Sequence, residues 1–278
     1  MKIIQDRMIN TKELESASDG ICHKCGTATF TTIELLGRIR RMPVMCKCRE
    51  EEYKRGKEIE ASTERRLKLE RLMQYSLMDH KFRECTFENF NIDSQNEKLY
   101  KMAVKYCDKW PEMKRQNVGF LFWGAPGNGK SYLSFCIANR LLQNFVPVIA
   151  ISSIGILNRI KQTYNNHGKE GEVEVINSLK NASLLVLDDL GAENDTDWSK
   201  EKLYEIIDSR IRDQKPMIVT TNLTPDQLRK KLTGEDNVAR TYDRLVEMCC
   251  PIEVKGPSRR VKAAKEKIEV VKELLNLG

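Results

Sequence analysis

Val118-Gly-Phe-Leu-Phe-Trp123 runs directly into Gly124-Ala125-Pro126-Gly127-Asn128-Gly129-Lys130-Ser131, and a helical pattern over Lys130–Leu142 follows without a break. A short apolar strand, a glycine-rich bend and a helix are the context in which G-x-x-G-x-G-K-S reads as a phosphate-binding loop. The glycines let the backbone turn so that successive amide hydrogens face one anion, and the helix adds its positive end. Lys130 is then placed to reach the outer phosphates and Ser131 to put a hydroxyl on magnesium. The expected ligand is ATP with Mg2+.

Working outward, short apolar runs alternate with longer helical patterns, the sign of an α/β fold with a parallel sheet flanked by helices. Besides 118–123, the strand candidates are 147–151, 184–188, 217–220 and 252–254. Helices are expected over 130–142, 154–164, 198–212 and 226–231, and Gly168–Glu174 reads as an acidic surface turn.

Leu184-Leu-Val-Leu-Asp188-Asp189 is a buried strand that ends in two carboxylates, where a parallel sheet opens onto its ligand crevice. This has the look of a Walker B site, with Asp188 holding magnesium together with Ser131, and Asp189 placed to polarise an attacking water. Glu193, four residues on, is a second candidate base. The phosphate loop and Asp188 are expected on neighbouring strands. Met217-Ile-Val-Thr-Thr221-Asn222 repeats the arrangement, so Asn222 is a candidate to bridge the terminal phosphate and the water, with Thr221 a weaker one. An ordinary turn-forming Asn is the competing reading.

The N-terminal region differs. Cys22-x-x-Cys25 and Cys46-x-Cys48, separated by 20 residues, supply four thiolates, enough for a closed tetrahedral zinc site with no open position for catalysis. His23 is expected to point outward. Residues 1–50 form this zinc-binding module, with a hairpin in its middle, and residues 51–80 form a charged helical linker. In the stretch Arg49–Leu72, 15 of 24 residues are charged, and Leu69, Leu72, Met73 and Leu77 form a partial apolar stripe. Residues 81–278 form the nucleotide-binding domain with a short C-terminal helix. Cys85, Cys107, Cys136, Cys249 and Cys250 read as small buried groups.

Composition sets the outer bounds. The 278 residues carry 47 Lys and Arg against 40 Asp and Glu, a net charge of +7 that attracts phosphates. No apolar run approaches the ~20 residues of a membrane span, and residues 1–20 meet charge before any signal-like core. The chain is expected in the cytoplasm. Histidine occurs only at 23, 80 and 167, with 80 and 167 expected at the surface, and neither G-x-S-x-G nor H-E-x-x-H is present. Serine-hydrolase and catalytic-zinc readings are thereby weakened.

Taken together, the cysteine module, Lys81-Phe-Arg-Glu-Cys-Thr-Phe-Glu-Asn-Phe90, the loop 124–131, the Leu-Val-Leu-Asp-Asp-Leu-Gly-Ala-Glu run ending at Glu193, and Ile218–Leu223 resemble the AAA+ helicase loaders of the bacterial and phage DnaC/DnaI group. IstB-type transposition helpers are close relatives of that group. The resemblance implies an ATPase that places a replicative hexameric helicase on single-stranded DNA. In it the zinc module contacts the helicase, the ATPase part contacts DNA, and copies self-associate through the ATPase domain. It also implies a trans-acting arginine, for which Arg240 and Arg244 are candidates and Arg244 is favoured, and a cis sensor, Arg260 in preference to Arg259. Two other readings stay open: a transposition helper, and a nucleotide-gated adaptor that hardly hydrolyses, since Asp189 stands where many such motors carry glutamate. Residues 259–273 hold six Lys or Arg against three Glu. Val261, Ala264, Ile268, Val271 and Leu275 give this helix an apolar face expected in core or subunit contact. No DNA-contacting residue is named.

Overall fold

The computed structural model describes Gly20–Leu275, apart from residues 36, 77, 79–81, 167 and 235–236. His80, His167 and Leu77 therefore lie outside the described residues. The chain divides into two compact units, one ending at Leu67 and the other beginning at Lys68. The boundary falls within helix α1 (Lys47–Tyr75).

In the first unit, β1 (Phe30–Leu35) and β2 (Arg38–Pro43) pair antiparallel as the expected hairpin, Phe30 opposite Pro43 and Leu35 opposite Arg38. Neither strand has a buried face beyond the partly covered Phe30, and α1 is exposed throughout from Arg49 to Leu67. So little apolar burial cannot order a unit of this size by itself, which leaves the cysteines to supply a cross-link.

The second unit is built on five parallel strands, β3 (Gly119–Trp123), β4 (Val148–Ser152), β5 (Leu184–Asp188), β6 (Met217–Thr221) and β7 (Cys249–Glu253), in the spatial order β4-β5-β6-β3-β7. The order corrects one expectation: β3 and β5 are not neighbours, because β6 lies between them. Alternation along each strand sends side chains to two separate cores. Phe120, Phe122, Leu184, Val186 and Ile218 join a core that also holds buried residues of α2 (Glu97–Asp108), α3 (Trp110–Arg115) and α4 (Lys130–Gln143). Leu121, Leu185, Leu187, Met217 and Val219 join the other. That core is completed by α5 (Ser153–Asn166), α6 (Gly168–Asn181), α7 (Asp197–Arg212), α8 (Pro225–Leu232) and α9 (Arg240–Met248). Burial on both faces is why these strands read as unbroken apolar runs.

The sheet edges are short. Pro251 sits inside β7 and removes a backbone donor there. At the other edge the Ala150 amide donates to the Ser76 carbonyl at 2.8 Å.

Three further expectations change. Gly168–Glu174 is the first half of α6 rather than a turn; Ile176 and Leu179, further along the helix, supply the burial that holds it. β7 begins at Cys249, three residues earlier than expected, and Cys250 within it is exposed while the other four scattered cysteines are buried. The last helix, α10 (Arg259–Leu275), does not bury its apolar face: Val261 is 56% and Ile268 54% exposed. No helix among the described residues is long and apolar enough to cross a membrane.

Candidate functional site

A cleft of about 430 Å³ opens at the carboxyl ends of the strands. One wall is the loop from Gly127 to Ser131. The glycines are where left-handed backbone is needed: φ is 139° at Gly124, 82° at Gly127 and 102° at Gly129, values a side chain would strain. Space is equally restrictive, since a Cβ on Gly127 would fall on Ser258. Lys130 is buried and donates from Nζ to the carbonyls of Gly124 and Ala125 at 2.8 Å each and to Asn128 Oδ1 at 3.2 Å. Burial lowers its pKa, while the charges of Asp189 and Asp188 act against that fall. The ammonium is thus poised over the loop it closes. Ser131 opens onto the same cleft. Gly124, Ala125 and Pro126 form the bend that leads into it.

The opposing wall carries Asp188 and Asp189 from the end of β5 and Thr220 and Asn222 from the end of β6. The intervening strand is what makes this wall work. Thr220 Oγ1 donates to Asp188 Oδ1 at 2.6 Å and accepts the Asp189 amide at 2.9 Å. Asp189 is held at φ 56°, an uncommon conformation for a non-glycine residue. Ser153 Oγ donates to its carbonyl at 3.0 Å, and Asn222 Nδ2 to its Oδ1 at 2.7 Å. Burial and then the neighbouring Asp188 raise the Asp189 pKa, with Lys130 and Arg260 pulling it back. Two adjacent carboxylates facing a lysine and an arginine balance in charge, and their oxygens are ligands suited to a divalent cation that arrives with an anionic phosphate. Thr220 did not emerge from the sequence, where the two threonines of β6 look alike.

Glu193, the alternative base, is buried outside the cleft lining and accepts the Gly191 amide at 2.9 Å, across a turn with Gly191 at φ 97°. Thr221 is also turned away, donating to the Leu190 carbonyl at 2.6 Å. Arg260 and Arg259 both line the cleft. Arg240 and Arg244 do not: they lie on α9, where Arg244 meets Glu247 at 3.0 Å and Asp208 at 3.5 Å.

In the first unit, the sulfur atoms of Cys22, Cys25, Cys46 and Cys48 lie within 4.8 Å of one another. Cys46 and Cys48 are 3.2 Å apart, Cys22 and Cys48 3.6 Å; zinc–sulfur bonds of about 2.3 Å in a tetrahedron set sulfurs ~3.8 Å apart, so the four fit one ion. The Cys22–Cys25 knuckle is closed by Gly26 N–H to the Cys22 carbonyl at 2.8 Å, and Cys46 and Cys48 flank the start of α1. Thr27 Oγ1 lies 2.9 Å from Cys25 Sγ and accepts the Lys47 amide at 3.1 Å. That hydroxyl draws the Cys25 thiol down to about 5, whereas neighbouring sulfurs push Cys48 up to about 12. Four thiols this close cannot all ionise without a cation. His23 is exposed and outside the cluster, as expected.

A five-stranded parallel sheet in this order, with a glycine loop after β3 and a carboxylate pair after β5, defines an AAA+-like nucleotide-binding core, here accompanied by a cysteine cluster able to coordinate a metal. The chain belongs to the IstB-like ATP binding protein family, which it matches over residues 49–267. It is 29% identical to the replicative helicase loader DnaC of Escherichia coli strain K12 over 182 residues, 65% of this chain and 71% of that protein. To DnaC of Buchnera aphidicola subsp. Baizongia pistaciae it is 28% identical over 180 residues, 64% and 70% of the two chains. Among solved structures, DnaI superposes with a TM-score of 0.55 at 25% identity, covering 66% of this chain and 94% of that one. AMPPCP-bound DnaA from Aquifex aeolicus, at 20% identity and a TM-score of 0.52 over 69% of this chain and 56% of that one, shares the fold.

Proposed function

We propose that this protein is an ATP-dependent loader that places a replicative hexameric helicase on single-stranded DNA, with ATP binding and hydrolysis gating assembly and release. The observation that carries the reading is the meeting of Lys130, Ser131, Asp188 and Asp189 on one cleft in a chain whose relatives include proteins named replicative helicase loader.

In this reading the backbone amides of the loop 124–131, all but Pro126, and the positive end of α4 bind the phosphates, with Lys130 leaving its own loop carbonyls to reach the outer ones. Ser131 and Asp188 hold Mg2+, which neutralises charge on the phosphate oxygens when bound. Asp189 accepts a proton from the attacking water, and Asn222 orients both by its bond to Asp189. Arg260 stabilises the terminal phosphate in cis, and Arg244 does so for a neighbouring copy once it leaves Glu247 and Asp208. Self-association is then part of the chemistry. Zinc on the four cysteines stabilises the N-terminal module, 1–50, which holds the helicase; residues 51–80 connect it to the ATPase domain, 81–278.

The family description favours a second reading, a transposition helper of the IstB type. The test captures partners of the full chain from its native host with and without ATP, then repeats the capture with Lys130→Ala. ATP-dependent capture of a hexameric helicase, and its deposition on single-stranded DNA by the wild type alone, is the expected result. Capture of a transposase in place of a helicase would overturn the loader.

A further inference from the structure

We propose that Arg259 is a positioning residue: by fastening the first turn of α10 to the segment 89–93, it sets the neighbouring Arg260 against the phosphate end of the cleft. The inference rests on reading this cleft as the nucleotide site.

Arg259 makes contact in three directions. Its Nη1 donates to the Asn91 carbonyl at 2.9 Å, and its Nη2 donates to Asp93 Oδ2 at 2.8 Å. Its guanidinium lies 5.6 Å over the Phe90 ring. Its backbone amide donates to the Gly127 carbonyl at 2.9 Å, so one residue joins the phosphate loop, α10 and the segment 89–93. Nearby, Asn128 Nδ2 donates to the Val254 carbonyl, a second tie between the loop and the segment that leads to α10.

The segment being gripped is itself rigid. Asp93 Oδ1 accepts the amides of Gln95 and Asn96 at 3.0 Å each, and Asn96 Nδ2 donates to the Asn91 carbonyl at 3.0 Å. The two oxygens of Asp93 therefore have separate tasks, one building the turn into α2 and the other holding Arg259. On the far side, Tyr132 of α4 donates to the Asn89 carbonyl at 3.2 Å.

Arg260 contrasts with its neighbour. It lines the cleft, where its charge acts on Asp189, and makes no hydrogen bond or ion pair among the described residues. Successive helical residues point about 100° apart, so a first turn locked through Arg259 leaves Arg260 one direction in which to extend. The first amides of any helix lack internal partners, and without an anchor that turn frays. The Arg259–Asp93 pair is about one-third to one-half exposed, and pairs of that kind add little to fold stability. Its loss should therefore be read in the ligand rather than in the melting temperature.

The experiment is calorimetric binding of ATP and of ADP, each with magnesium, to the full chain as wild type, Arg259→Ala, Arg259→Lys, Asp93→Asn and Arg260→Ala, and to the Arg259→Ala/Arg260→Ala double variant. Asp93→Asn keeps the Oδ1 acceptor that builds the turn and weakens only the charged contact. Arg259→Ala and Asp93→Asn should each weaken ATP about five- to tenfold and ADP less than about twofold, with Arg259→Lys intermediate. In the Arg260→Ala background, adding Arg259→Ala should change ATP affinity by less than about twofold, because the latch acts through Arg260. Equal losses for ATP and ADP, or losses from the two arginines that multiply, would overturn the proposal. A wild type that binds neither nucleotide would remove the nucleotide-site reading itself, whereas normal wild-type binding with unaffected variants would overturn the latch alone.

Discussion

The Thr220 hydroxyl donates to Asp188 Oδ1 at 2.6 Å, linking the end of β6 to the end of β5. With its second bond, from the Asp189 amide, it fixes both the side chain of one carboxylate and the backbone of the next. Thr220→Val keeps the shape and removes both bonds. The expected cost is about 1–3 kcal/mol in urea unfolding together with lower ATP turnover, and Thr220→Ser should retain most of each.

The pH dependence of Asp189 has a definite sign. Burial and Asp188 place its folded-state pKa above the ordinary carboxylate value, so between the two values the folded chain holds a proton that the unfolded chain has released. Stability from this group falls as pH rises through that window and is level above it. A proton acceptor must be ionised, so the acid limb of turnover should lie above the usual carboxylate range. Removing the Asn222 donor should raise it further, which a kcat-against-pH profile of Asn222→Ala measures. Asp189→Asn should bind ATP and lose turnover; full turnover would move the base role elsewhere.

For the cysteine centre, Cys25→Ser should lose stoichiometric zinc by elemental analysis and leave the N-terminal region open to protease. Thr27→Val keeps all four sulfurs but removes the hydroxyl beside Cys25, and should weaken zinc about 10- to 100-fold in a chelator competition. Unchanged zinc in Cys25→Ser would take that sulfur out of the ligand set.

Arg244 and Lys130 give a complementation test. Each of Arg244→Ala and Lys130→Ala should be inactive by itself, yet mixed oligomers should regain part of the turnover, since an interface can then join an intact loop to an intact arginine. No recovery in oligomers shown to be mixed would return Arg244 to its local bonds with Glu247 and Asp208.

Arg210 is wholly buried, and burial lowers its pKa to about 9. It donates to the carbonyls of Leu179 at 2.6 Å, Ala182 at 3.1 Å and Pro216 at 2.8 Å, joining the end of α6 to the entry of β6. Arg210→Met leaves those carbonyls unpaired and should cost at least about 3 kcal/mol in urea unfolding, with nucleotide affinity near normal wherever the chain remains folded.

What could be read in advance follows from how far apart the interacting residues lie. The loop 124–131 and the strand 184–188 announce themselves locally, one by glycine spacing and the other by a continuous apolar run. The four cysteines do so by pairing. The strand order does not, and proximity in the motif logic placed Asp188 beside the loop when β6 separates them; Thr220 was missed for the same reason. Asp93 and Arg259 are 166 residues apart, and nothing near either one marks the other. The first half of α6 was hidden by Gly168, Gly171 and its acids, which favour a turn by composition, while the residues that bury the helix come later in it. The face of α10 keeps an apolar spacing that this chain does not bury, because spacing alone does not separate core contact from subunit contact.

Pro251 within β7 takes one donor from that margin of the five-stranded sheet, and the Ser76 carbonyl occupies the Ala150 amide at the other. Each margin of that sheet is thereby a poorer template for pairing with a strand of another chain, so self-association of the kind proposed would draw on helices and side chains.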